Sequence, residues 1–198
     1  IQAIDFLRDV NENKKPDLGH HVAVIGGGNV AMDAARVSRR FGAEVTVLYR
    51  RRIVDMPSDP EEIEGAEHEK VHLEPQAIPT RIIKDENGKV KGIEYLKAEM
   101  VADSKGGRPK PVAIEGSETI LDVSTVIGAI GQEGYFEFLG TEFLEKLEME
   151  RGKVITKENM ETSIPKLFAG GDTVNKTADA ISAIADGHKA AKGIDELL

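Results

Sequence analysis

The sequence predicts an α/β fold: a Rossmann-like three-layer unit with a β-meander insertion. Three observations predict it. A short β-branched run, His21–Ile25, ends in three glycines that open a helix. A second such run, Glu44–Tyr49, follows one amphipathic segment later. From Thr80 to Val101 apolar residues alternate about Asn87-Gly88, the pattern of an antiparallel hairpin. Strand, helix, strand, helix, strand is the order of a mononucleotide-binding unit; here a meander replaces a later helix before a strand returns to the sheet.

Each element has its own signal. Ile1 to Leu7 places apolar residues at helical spacing and predicts a short helix, while polar Asn11 to Gly19, with Pro16, reads as a linker. His21–Ile25 (HVAVI) is expected as a buried parallel strand. In Asn29–Phe41, Val30, Ala34, Val37 and Phe41 recur at helical spacing, and Gly42 stops the helix. Pro60–Glu69 is a charged helix with Ile63 and Ala66 on one side, and Val71–Leu73 a short strand. Ser104–Pro111 reads as a loop, and Glu118–Ile130 as a strand pair or one long strand entering the core. Lys153–Thr156 and Leu167–Ala169 are expected as short strands, and Ala178–Leu197 as an alanine-rich helix broken near Gly187.

Composition narrows the chemistry. The 198 residues are 40% hydrophobic and 31% charged, an ordinary globular mix. No apolar run approaches the roughly 20 residues of a membrane span. Cys is 0, which excludes within this chain a redox dithiol, thiolate zinc and Cys-ligated iron–sulfur clusters. A net charge of −9 disfavours nucleic acid and anionic membrane as partners. The first residue is Ile1 and no signal-peptide pattern is visible, so a segment of a longer, cytoplasmic polypeptide is expected.

Gly26-Gly27-Gly28-Asn29-Val30-Ala31 is G-x-G-x-x-A between a strand and a helix. Gly26 permits the tight turn, Gly28 lets a diphosphate approach the backbone, and Ala31 keeps the helix close to the sheet. The first amides of the helix, at Asn29 and Val30, then face the phosphates, aided by the helix dipole. The end of the second strand selects the nucleotide. A carboxylate there would bond ribose hydroxyls; this chain has Arg50-Arg51-Arg52. Guanidinium groups suit a 2′-phosphate through forked, charge-assisted hydrogen bonds. NADP(H) is therefore the expected nucleotide, with Arg50 and Arg51 ahead of Arg52; a solvated charge run is the alternative.

These residues carry a resemblance. VIGGGNVAMDAARVSRRFGAEVTVLYRRR, then Met56-Pro57 and Glu62-Ile63, Ala66, Glu69 and Val71, resembles the glutamate synthase small (β) subunit. More broadly it is similar to the glutamate-synthase-type NADPH:FAD oxidoreductases, which include the flavoprotein module of dihydropyrimidine dehydrogenase. Ala129-Ile130-Gly131-Gln132 resembles the turn where the chain leaves the NADPH domain, and Gly131 and Gln132 are carried over as cofactor-binding. Leu167 to Asp172 (LFAGGD) resembles the second FAD motif, with Gly171 and Asp172 at the flavin. The resemblance implies an FAD/NAD(P)-binding three-layer fold divided as an N-terminal helix and linker (1–19), an NAD(P)H-binding domain (20–150) and the C-terminal segment of an incomplete FAD-binding domain (151–198). It implies hydride transfer from NADPH to FAD in the full protein. The partners implied are the remainder of the flavoprotein and an electron-accepting large subunit or iron–sulfur protein; self-association is also expected from apolar surface on the orphaned segment. Departures from the family pattern fall at Lys176-Thr177-Ala178-Asp179, His188 and Lys70, and Asp179 either crowds a flavin or caps the last helix.

Other motifs have simpler readings. His68-Glu69-Lys70-Val71-His72 spells a zinc-protease string, yet the helix is expected to end near Glu69, so the two rings do not converge. Glu61, Glu62, Glu64, Glu67 and Glu69 read as a solvated helix face, and Asp33 as a helix-surface residue. Met56 and Pro57 read as packing, and adjacent His20 and His21 as tag or linker. Hydride transfer is cofactor chemistry, which accounts for the lack of an evident protein acid, base or nucleophile. The alternative to an oxidoreductase part is a nucleotide-binding module that catalyses nothing alone.

Overall fold

The computed structural model describes residues 1–102, 109–132, 134–176 and 179–198. The chain forms two compact units, Ile1–Ile130 and Gly131–Leu198. The division falls 20 residues before the expected boundary at 150, and residues 1–19 belong to the first unit.

The first unit is built on a parallel sheet. β1 (His21–Ile25), β2 (Glu44–Tyr49), β3 (His72–Pro75) and β8 (Thr125–Gly128) lie in the order β3-β2-β1-β8. Side chains alternate across this sheet. Val22, Val24, Val45, Val47, Tyr49, Leu73 and Ile127 face a helical layer of α1 (Ala3–Asn11), α2 (Asn29–Arg40) and α3 (Pro60–His68). Ala23, Leu48 and Val126 face the opposite way, against Ala77, Ile93 and Tyr95 of the meander. The meander is antiparallel: the 12-residue β5 (Val90–Val101) pairs with β4 (Ala77–Lys84) on one edge. On its other edge it pairs with β7 (Thr119–Asp122) and then β6 (Lys110–Ala113). Helices, parallel sheet and meander make the three expected layers. Small residues make the helical layer close: Ala31, Ala34 and Ala35 of α2 are fully buried on the sheet. The β4–β5 turn is where Asn87-Gly88 places it, with Gly88 at φ +78° and Asp85 Oδ1 accepting from the Asn87 and Lys89 amides.

Three N-terminal expectations are corrected. α1 runs to Asn11, past Leu7, because Val10 also packs on the core. The segment read as a linker is anchored by buried Leu18, whose carbonyl accepts hydrogen bonds from Ser124 and Thr125. His21 is no tag residue: it begins β1 and its Nε2 lies 2.9 Å from Thr46 Oγ1, where burial pushes its pKa down.

The second unit is smaller. It holds a short α4 (Thr141–Leu144), a hairpin of β9 (Met149–Glu150) and β10 (Lys153–Val154), and α5 (Ala180–Asp195). Arg151 and Gly152 both take positive φ in the hairpin turn, which matches the twist of two-residue hairpins. Leu147, Val154 and Ile164 form its core with Phe136, Leu139 and Leu167. α5 is continuous through Gly187, contrary to the expected break; a single interior glycine costs a helix only about 1 kcal/mol. Residues 104–108 of the expected loop, and Thr177 and Ala178 of the departing segment, lie outside the described residues. No helix among the described residues is long and apolar enough to cross a membrane.

Candidate functional site

β1 and β8 are neighbours in space although remote in sequence, so the strand order reverses between them. In an open α/β sheet the crevice beyond the strand ends at such a reversal is the usual ligand site. The glycine turn lies there. Gly26 has φ +146°, and a Cβ on it would stand 2.3 Å from the carbonyl oxygen of Ala129, which follows β8. A Cβ on Gly27 would meet the Tyr49 ring at 2.5 Å. Gly28 differs: its nearest neighbour would be Pro57 Cγ at 3.9 Å. The fold itself requires glycine at the first two positions. At the third it leaves open space over the backbone.

Gly28 is the N-cap of α2, and no side chain caps that helix. The first intrahelical bonds come from Ala31 and Met32 to the Gly28 carbonyl. The Asn29 and Val30 amides have no acceptor among the described residues, and both residues are exposed. Two free donors at the positive end of a 12-residue helix are the arrangement that an anion would need. Ala31 is fully buried, as the close approach of helix to sheet demands. The Asn29 side chain is spoken for: its Oδ1 accepts from Ser58 Oγ at 2.8 Å and Asp59 N at 2.9 Å, and its Nδ2 donates to Asp59 Oδ2 at 3.0 Å.

The three arginines follow β2 at the same end of the parallel sheet as the glycine turn, and they are not equivalent. Arg50 is exposed, with no ion pair or hydrogen bond among the described residues. Arg51 is half-buried, and its Nε is buried without a partner. Arg52 is held by Asp55 through Nε at 2.8 Å and Nη2 at 3.2 Å, and this carboxylate raises its pKa further. Met56 packs into the core, as expected, and Pro57 stands over Gly28. An anion among these groups would meet a charged, partly desolvated guanidinium with an unused donor. An additional phosphate fits that chemistry, and a carboxyl-lined ribose pocket does not.

Gly131 and Gln132 open the second unit; both are exposed, and Gly131 has φ +107°. Within this unit, Gly171 takes φ +68° and begins a one-turn 3₁₀ helix that includes Asp172. The Asp172 carboxylate is exposed with no partner among the described residues, while its carbonyl accepts from Lys153 Nζ. Beside it, Phe168, Ala169, Gly170 and Gly171 line a pocket of about 260 Å³ against Ala183, Asp186 and Gly187 of α5. A flavin dinucleotide needs several times that volume, so these residues fit one wall of an FAD site.

Asp186 had no signal in the sequence reading. Its side chain is buried; Oδ2 accepts from the Gly171 amide at 3.0 Å and from Asn175 Nδ2 at 2.6 Å, which holds its pKa below the usual carboxylate range. Gly170 is glycine because a Cβ there would meet Asp186 Cβ at 2.8 Å. The paired glycines before Asp172 hint at such a close approach; the partner, 15 residues on, is visible only in the fold. Asp179 caps α5, accepting from Ser182 N at 2.7 Å and from Ser182 Oγ at 2.8 Å.

The remaining motifs are structural. α3 ends at His68 and His72 lies on β3, so the two histidines do not share a helix face, and no group of metal-binding side chains forms among the described residues. The acidic stretch is only partly solvated: Glu62 and Glu69 bond to Arg36, and Glu69 also to Arg40, fastening α3 to α2. Asp33 is exposed on α2.

Known proteins match this arrangement. The chain is 38% identical, over its whole length, to the NADP(+)-dependent formate dehydrogenase subunit beta of Moorella thermoacetica, and spans 28% of that protein. It is 39% identical to the glutamate synthase [NADPH] small chain of Escherichia coli, over 89% of this chain and 38% of that one. Among solved structures, Mycobacterium tuberculosis FprA in complex with NADPH superposes with a TM-score of 0.73 at 18% identity, covering all of this chain and 58% of that one. Thioredoxin reductase of Lactococcus lactis gives 0.70 at 25% identity, over 93% of this chain and 54% of that one. These neighbours share the three-layer Rossmann-like fold, though this chain has no cysteine for a redox dithiol. With residues 1–187 matched by one family, the chain belongs to the pyridine nucleotide-disulphide oxidoreductases.

Proposed function

We propose that the chain is the NADP(H)-binding part of a flavin-dependent oxidoreductase of the glutamate synthase small-chain type. The observation that carries this reading is the open face of Gly28 beside two uncapped helix amides, together with an orphaned Arg51 Nε just past the end of the neighbouring strand β2. Gly26, Gly28 and Ala31 shape the turn. The Asn29 and Val30 amides hold the diphosphate, and Arg50 and Arg51 take the 2′-phosphate, with Arg52 in a lesser part because Asp55 already neutralises it.

When bound, the nicotinamide supplies a hydride and a flavin accepts it. The part of this chain is to bind and orient, which is where proteins of cofactor enzymes contribute most. Gly131 and Gln132 are proposed as cofactor-binding on the resemblance of their turn alone. Gly171 and Asp172 would form one wall of the FAD site, with Asp172 offering acceptors to ribityl hydroxyls; the remainder of the flavoprotein would complete it. Because the chain spans 28% to 38% of the relatives named above, the whole protein's electron acceptor is proposed only by class: a large subunit or an iron–sulfur protein. Two features support a partner of this kind: relatives named as subunits, and exposed Ile181 and Ile184 on α5.

Fluorescence titration tests the reading. The purified chain should bind NADPH saturably and more tightly than NADH, and remain colourless without FAD. A folded sample with no saturable signal at millimolar NADPH would refute it.

A further inference from the structure

We infer that the Asn29 carboxamide is a positioning group that locks the arginine loop to the diphosphate turn, and so sets the preference for the 2′-phosphorylated nucleotide. This rests on the nucleotide reading above and goes beyond it, because it gives the Asn29 side chain a part other than touching the ligand.

Asn29 is the first residue of α2, exposed, in the middle of the glycine turn. A side chain there that served the ligand would keep its polar atoms free. Instead both are used: Oδ1 faces two donors, Ser58 Oγ and Asp59 N, and Nδ2 faces the Asp59 carboxylate. That arrangement also fixes which way the amide points. Ser58 is buried, and its own amide donates to the Gly27 carbonyl at 3.2 Å. At the start of the loop, the Tyr49 ring lies against Gly27 and its hydroxyl donates to the Asp55 carbonyl at 2.8 Å. The loop from Arg50 to Asp59 is therefore stitched to the turn at both ends, and Asn29 supplies three of the stitches.

NADPH would engage two places at once, the turn amides and the arginines; NADH would engage only the turn. Fixing the distance between those places lowers the ordering cost for the ligand that uses both. Cutting the latch should therefore weaken NADPH selectively, whereas a general loss of stability would weaken both nucleotides alike.

The test compares dissociation constants for NADPH and NADH in the parent chain and in three variants. Asn29→Ala should raise the NADPH constant about tenfold, the scale of a lost charge-assisted bond, and move the NADH constant far less. Ser58→Ala should shift the ratio in the same direction by less. The exchange Asn29→Asp with Asp59→Asn keeps all three hydrogen bonds, reversing the direction only of the one between the two side chains. It leaves the net charge unchanged and moves the carboxylate from position 59 to the turn at position 29, which should weaken both nucleotides equally and return the ratio to that of the parent. Should Asn29→Ala fail to fold, Ser58→Ala and the exchange carry the comparison. A parent that prefers NADPH, with ratios unchanged in the variants, overturns the latch alone. A folded parent that binds neither nucleotide overturns the nucleotide reading and the latch with it.

Discussion

Gly26 lies directly against Ala129: a Cβ built on the glycine would stand 2.3 Å from the alanine carbonyl oxygen and 3.2 Å from its Cβ. The contact joins the end of β1 to the end of β8, and the Ala129 amide donates to the Ile25 carbonyl at 2.8 Å beside it. A side chain at Gly26 must displace backbone in a conformation that glycine alone favours. Gly26→Ala should therefore destabilise the first unit by about 2 kcal/mol or more. Gly28→Ala meets only Pro57 at van der Waals distance and should cost within about 1 kcal/mol. It should still weaken NADPH at least tenfold. Urea unfolding and a nucleotide titration on both variants separate the two roles.

Arg51 carries a different signature. A buried N–H without an acceptor costs about 1–3 kcal/mol in the ligand-free chain. Arg51→Leu removes that group and keeps the apolar stem, so the free chain should be no less stable than the parent. NADPH affinity should nevertheless fall by the worth of a charged contact, about 1.5–3 kcal/mol, with NADH little changed. Arg50→Ala should also weaken NADPH and leave stability within about 0.5 kcal/mol, as exposed sites do. Arg52→Ala should matter least to the nucleotide. Equal losses for NADPH and NADH at Arg50 and Arg51 would remove the 2′-phosphate from the account.

The parallel strands could be read because burial on both faces forces continuous β-branched runs, as in HVAVI and EVTVLY. The β4–β5 hairpin could be read because a two-residue period and an Asn-Gly turn are local signals. What escaped is what depends on contacts remote in sequence. The segment before β1 looked like a linker, since its anchor, Leu18, bonds to residues more than 100 positions away. Tyr49 gave no hint that its ring requires Gly27. In the candidate site the motif named the amides and the arginines. It ranked Arg50 and Arg51 ahead of Arg52 but gave no sign of the Arg52–Asp55 pair, because that depends on Asp55 turning back through a 3₁₀ turn.

The junction of α2 and α3 is electrostatic. Glu69 receives Arg40 Nη2 at 2.6 Å and Arg36 Nε at 2.9 Å, and Arg36 Nη1 lies 2.5 Å from Glu62. Arg40 and then Arg36 hold the Glu69 pKa below the ordinary range. These side chains keep between 24% and 60% of their surface in water, so the network is worth only about 1 kcal/mol. Glu69→Gln should lower stability by about that amount in dilute buffer, and the difference should shrink in 1 M salt, where screening acts within about 3 Å. NADPH binding should be untouched, because the network fastens the far side of α2.

Asp186 predicts an acid response in the second unit. Its carboxylate is held below the usual range first by the Gly171 amide and then by the Asn175 carboxamide. A carboxylate whose folded pKa is depressed contributes stability that is complete above its unfolded value, about 3.9. That contribution is lost as the pH falls through the lower folded value. The turn at Gly170-Gly171 should therefore loosen below about pH 4, with the Gly171 amide losing protection against hydrogen exchange before the core around Leu147 and Val154. Asp186→Asn keeps an acceptor for Gly171 and removes the titrating group, so its exchange rates, corrected for intrinsic acid dependence, should be flat over the same range. The two proteins sharing one acid midpoint at Gly171 would show that the carboxylate does not hold this turn.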